Sequence, residues 1–92
     1  MAAVVGKVFE YFDIPAQSAV RLKFDQDPTG SFPSGVTAPY FGFNPSDAMG
    51  MEMARTFRLA MDNGWAVSVY GAGVALAGTS YEAIQSFALY PN

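Results

Sequence analysis

The sequence predicts a mostly β domain with one helix, in the order β-β-β-α-β-β, folded as an OB-fold, a small Greek-key barrel. Three observations point there. Short runs rich in β-branched and aromatic residues recur along the chain, separated by turns that carry Pro and Gly. A single helical pattern, residues 44–64, falls between the third and fourth of these runs. The first run is apolar on both faces, as in a strand curled into a barrel or covered on both sides. An open antiparallel sheet with the helix across one face is the alternative arrangement.

Residues 3–15, AVVGKVFEYFDIP, read as the first strand and stop at Pro15. Val4, Val8 and Phe12 supply one face, and Val5, Phe9 and Tyr11 the other. Residues 18–24, SAVRLKF, alternate Val20, Leu22 and Phe24 with Arg21 and Lys23, the pattern of a half-buried strand. A short hairpin connection joins the two. Residues 25–39 are dense in Pro, Gly, Ser, Thr and Asp and form the one long loop, a length that goes with function or disorder in so small a domain. YFGF at 40–43 is a brief third strand.

The helix opens with Asn44 at the N-cap, Pro45 at the first helical position and Asp47 near the positive end of the helix dipole. Met49, Met53, Phe57, Ala60 and Met61 recur at helical spacing as one apolar stripe. Asn63-Gly64 supplies a left-handed stop. Gly50 costs roughly 1 kcal/mol of helix propensity, which points to close approach of a neighbour. WAVSVYG at 65–71 alternates as a fourth strand, and AGVALAGTS at 72–80 reads as a Gly- and Ala-rich loop. YEAIQSFALYP at 81–91 is the fifth strand. Its inward residues, Ile84, Phe87 and Leu89, change parity, which requires a bulge near Ser86.

At 92 residues the chain is one domain, spanning 1–92. Apolar residues make up 51% and aromatics 15%, which speaks against disorder. Only 14% are charged, well below the ~25% of an average soluble domain, so charge cannot cover the surface. A homo-oligomer that buries apolar surface is therefore expected, with a monomer rich in surface Ser, Thr, Gly and Ala as the alternative. The net charge of -3 argues against nucleic-acid binding, which needs clustered cations. Lys7, Arg21, Lys23, Arg55 and Arg58 are too scattered for a polybasic membrane patch, and no apolar run approaches the ~20 residues of a membrane span. The protein is thus expected not to be membrane-inserted. The first residues carry no signal-peptide pattern, although a removed leader would look the same.

The C-terminal half, ARTFRLAMDNGWAVSVYGAG followed by GTSYEAIQSFALYP, resembles the binding subunits of AB5-type bacterial toxins, in particular those of the pertussis and subtilase-cytotoxin kind. The matching residues are Leu59, Ala60, Gly64, Val67, Val69, Tyr70, Gly71, Ile84 and Leu89. The resemblance implies a secreted OB-fold subunit of a ring, usually a pentamer, that binds cell-surface carbohydrate. It also implies an A-type partner subunit and no catalytic activity of its own. It assigns no individual sugar-binding residue.

The chain has no His and no Cys, which removes the commonest general base, the thiol nucleophile and most zinc sites. No catalytic residues, no metal and no cofactor are expected. Asp25, Asp27, Thr29 and Ser31 have the composition of a calcium loop but not its spacing or terminal Glu, and read as a solvated turn. The Met-rich helix reads as packing. A sugar stacks a CH face on an aromatic ring while nearby polar groups take its hydroxyls, which selects Tyr40, Tyr70 and Tyr81 beside the loops as candidate ligand-binding residues. The plainer reading of each is a strand-end tyrosine with its hydroxyl in water. The expected function is a non-enzymatic oligomeric subunit that binds carbohydrate. A structural or assembly protein, such as a virion or surface component, is the alternative. A single-strand nucleic-acid binder would have the aromatics but lacks the basic groove.

Overall fold

Lys7 divides the first expected strand in two. Its N–H donates to the Asp25 carboxylate at 2.8 Å, and its carbonyl accepts the Asp25 N–H at 2.9 Å. Both backbone groups are thus spent on the loop rather than on a sheet neighbour. The computed structural model describes residues 1–91; residue 92, the end of the expected single-domain span, lies outside the described residues. Before the break lies β1 (Ala2–Gly6), and after it β2 (Val8–Ile14). The remaining strands are β3 (Ala19–Phe24), β4 (Thr29–Gly30), β5 (Phe41–Phe43), β6 (Ala66–Ala75) and β7 (Glu82–Tyr90), with helix α1 (Ala48–Asn63) between β5 and β6.

The strands form one sheet in the order β2-β3-β5-β7-β6-β1-β4. β1 pairs with β6 and β2 with β3, so one bent segment serves both ends of the sheet. The fold is therefore mostly β with one helix and barrel-like. It keeps the expected β-β-β-α-β-β order once β1 and β2 are taken as one bent strand and β4 as part of the long loop. The sheet departs from the purely antiparallel alternative, because β5 runs parallel to β7, with Phe41 opposite Glu82.

The face assignment of the first strand needs correction. The ladder slips between Val8, opposite Phe24, and Glu10, opposite Lys23, which leaves Phe9 as an extra residue. The extra residue reverses the alternation beyond it. Tyr11, opposite the buried Leu22, points inward, whereas Phe12, opposite Arg21, points out. Val4 and Val8 are buried as expected, and Val5, Phe9 and Phe12 are exposed.

The helix begins later than the sequence suggests. Asn44 forms a local turn, its side-chain oxygen accepting the Ser46 N–H at 2.9 Å. Asp47 is the N-cap and accepts the Gly50 N–H at 2.7 Å. A Cβ on Gly50 would run into the Asn44 carbonyl, the close neighbour its propensity cost implied. Gly64 ends the helix at φ 67°. The buried stripe is Gly50, Met53, Ala54, Phe57 and Ala60, while Met49 and Met61 are exposed, so the helix is rotated from the stripe read in sequence. Phe57 packs its ring against Phe24, Phe43 and Phe87 at centroid distances of 6.5, 5.7 and 5.7 Å. Ile84, Phe87 and Leu89 pack on the same core, as expected.

β6 continues to Ala75, into the segment expected as a loop. Two irregularities accompany it. Tyr70 faces Ser86 and Gly71 faces Ile84, so Gln85 is the extra residue, in the bulge anticipated near Ser86. Between Gly71 and Ala75 the surplus lies on β6 instead. The fully buried Glu82 sits there, its carboxylate accepting the Gly73 N–H at 2.9 Å and the Ala2 N–H at 3.4 Å. Buried carboxylates are tolerated when such bonds are supplied. A Cβ on Gly71 would collide with this carboxylate.

Gly50→Ala is therefore expected to destabilise the fold although alanine is the better helix former, because the Asn44 carbonyl cannot yield without moving backbone. Gly71→Ala is expected to cost about 2 kcal/mol by displacing Glu82. Urea unfolding of both variants checks these signs.

Candidate functional site

The three candidate tyrosines fall into two places. Tyr40 lies in the turn before β5 and Tyr81 just before β7, and their rings meet edge to face at 6.1 Å. Tyr81 is only 8% exposed, so it is a packing residue and not an open platform for a ligand. Tyr70, on the outer face of β6, is 57% exposed and shares nothing with that pair.

Around Tyr40 the outer face of β2 and β3 carries a cluster that the sequence did not single out. The Arg21 guanidinium lies between two rings, 4.7 Å from the Phe12 centroid and 4.5 Å from that of Tyr40. Its Nε and Nη2 both donate to Glu10 Oε1, at 3.1 and 2.8 Å. Burial works against the Arg21 charge, but the hydrogen bond and charge of Glu10, with contributions from Tyr40 and Tyr81, outweigh it and raise the guanidinium pKa. Lys23 lies 5.7 Å from the Phe9 ring on the same face. Arg21 is thus already satisfied by its own neighbours. The bulge at Phe9 brings Glu10 and Phe12 to the same side as Arg21, and no sequence spacing signals that.

Tyr70 borders a different feature. The long loop is pinned beside it: Thr29 and Gly30 pair with Ala3 and Ala2, and the Phe32 ring packs on Phe41 at 5.4 Å. A cleft of about 380 Å³ opens between the loop and the sheet, lined by Val5, Gln26, Asp27, Thr29 and Tyr70. This is within the ~300–1,000 Å³ of small-molecule sites. One aromatic side chain, one amide, one carboxylate and one hydroxyl surround it. Asp27 stands in it as the lone acid, so the arrangement offers stacking and hydrogen bonding rather than paired acid–base chemistry. Asp25, grouped with Asp27 in sequence, is instead spent on Lys7.

A second cleft, of about 330 Å³, separates β2 from α1 and is lined in part by Tyr11, Asp13, Arg55 and Arg58. The Tyr11 phenol has its pKa raised above 10.0, mainly by burial and further by Asp13, with Arg58 acting in the opposite direction. In comparisons with known proteins, no family model, no curated protein and no solved structure matches this chain.

Two outcomes separate these tyrosines. Tyr81→Ala is expected to lower stability by about 3 kcal/mol and Tyr70→Ala by no more than about 0.5 kcal/mol, measured by denaturant unfolding. For Tyr11 the raised folded-state pKa means the unfolded chain loses its proton first, so the contribution is complete below pH 10.0 and is lost as pH rises through the folded value. Stability profiles against pH should show this alkaline loss in the native chain and a smaller one in Tyr11→Phe.

Proposed function

We propose that the protein is a non-enzymatic binding subunit that assembles as a homo-oligomer and recognises carbohydrate at the Tyr70 cleft. One observation carries the reading: an exposed tyrosine beside Gln26, Asp27 and Thr29, a set that can stack a sugar's CH face and take its hydroxyls. The oligomer rests on exposed apolar side chains that so few charges leave uncovered, among them Phe9, Phe12, Met49, Met51 and Tyr70. The resemblance of the C-terminal half to AB5 toxin binding subunits supports a ring, a pentamer by that analogy, secreted with an A-type partner.

A structural or assembly role is the second reading, and it draws on the same apolar residues, which lie on the helix as well as on the sheet. Native mass spectrometry and a glycan array distinguish the two. A closed oligomer of fixed mass with glycan hits abolished by Tyr70→Ala is the expected result. A strict monomer would sink the ring, an array without hits would sink the lectin, and open-ended filaments would favour the assembly role.

A further inference from the structure

We propose that the cleft between β2 and α1 is a second binding site, for a small carboxylate that also carries a hydrogen-bond donor, such as an α-hydroxy or α-amino acid. It is independent of the Tyr70 cleft and of the carbohydrate reading. Arg55 and Arg58 stand one turn apart on α1 and both line the cleft. They are two of the five cations in a chain of net charge -3, yet neither is firmly neutralised. Arg55 reaches only Glu52, at 3.7 Å with both side chains mostly exposed, a pairing of little strength.

Arg58 forms no ion pair among the described residues. Its Nε donates to the Ala54 carbonyl at 3.2 Å, which steadies the side chain and leaves the two terminal nitrogens for a ligand. A guanidinium presents parallel N–H groups to a carboxylate, which suits the fork to this anion. Tyr11, whose phenol stays protonated at neutral pH, adds a neutral hydroxyl on the opposite wall.

Asp13 sets the selectivity. It is the one acid among the cleft's lining residues, and Asp62 lies in an adjoining depression with Tyr11, Arg58 and Met61. Two carboxylates near the arginines disfavour a multiply charged anion such as phosphate. Asp13 can instead accept a hydrogen bond from a hydroxyl or ammonium on the same ligand. Val20, Ala54 and Met51 supply apolar wall for a short hydrocarbon body.

The test is an amide NMR titration of the whole chain at constant ionic strength with L-lactate, L-alanine, acetate and inorganic phosphate. Saturable shifts confined to the cleft, at residues 11–13, Val20 and 51–58, are expected with lactate or alanine, and weaker ones with acetate and phosphate. Arg58→Gln should weaken binding roughly tenfold or more, the loss of a charge-assisted contact, and Arg58→Lys by less. Asp13→Asn should narrow the advantage over acetate, and Lys7→Gln, a cation elsewhere, should change nothing. The amide spectrum of each variant reports its folding directly. Absence of saturable shifts, equal affinity in folded Arg58→Gln, or tighter binding of phosphate than of lactate and alanine would each overturn the proposal.

Discussion

The Phe57 ring is where the helix and the sheet are held together. It meets Phe24 of β3, Phe43 of β5 and Phe87 of β7, so one side chain ties α1 to three strands that are far apart in the chain. The aromatic contacts continue outward from there. Phe24 meets Phe41, and Phe41 meets Phe32 from the long loop, so the core extends from the helix to the loop by successive rings. These rings share the core with the aliphatic side chains of Val4, Val20, Leu22, Met53, Val67 and Val69, and the large volume of each ring helps a chain of 92 residues fill it. Each ring pair adds specific geometry to the burial of area.

The bend at Lys7 governs which surfaces remain for binding. Because β1 and β2 are one segment serving both ends of the sheet, the bulge at Phe9 falls close to where that segment turns. Phe9 and Phe12 are turned outward and Tyr11 inward. The outer face of β2 and β3 thus acquires Phe12, Glu10, Arg21 and Tyr40, a self-satisfied cluster. Tyr11 becomes a wall of the cleft beneath the arginines of α1. The same backbone irregularity separates a closed polar cluster from an open one.

Charge is scarce here, and several of the charged groups have definable tasks. Asp25 holds the bend, Glu82 supports the irregular stretch of β6, Asp47 caps the helix and Glu10 secures Arg21. Among the described residues Glu82 forms no ion pair; the backbone N–H groups of Ala2 and Gly73 meet its carboxylate, which ties the N-terminal strand and the β6 irregularity to one side chain. Arg55 and Arg58 of α1, and Gln26 and Asp27 near Tyr70, are among the polar side chains left without a strong partner, and they line the two clefts.

Local pattern was sufficient for the β-β-β-α-β-β order, the Gly64 stop, the inward residues of β7 and the bulge beside Ser86. Each depends on periodicity or on one residue's backbone preference, and both are written in neighbouring positions. The two halves of the first strand, the N-cap at Asp47 rather than Asn44, the length of β6 and the burial of Tyr81 and Glu82 were not legible in the same way. Most depend on contacts that no local period reports: Asp25 on Lys7, the Ala2 N–H on Glu82 and Tyr40 on Tyr81 across the chain. The shift of the cap from Asn44 to Asp47 is a choice between two nearby capping residues, made by which side chain meets the Gly50 N–H. The Tyr70 cleft was half visible: Tyr70 stood out as an aromatic and Asp27 and Thr29 as members of a polar turn, but nothing in the sequence placed that turn against Tyr70. The paired arginines of α1 were on view at helical spacing, yet only the packing of β2 against the helix turns that spacing into a cleft. Sequence encodes the period of an element directly; where its side chains end up depends on bulges and long-range contacts that one strand cannot report about another.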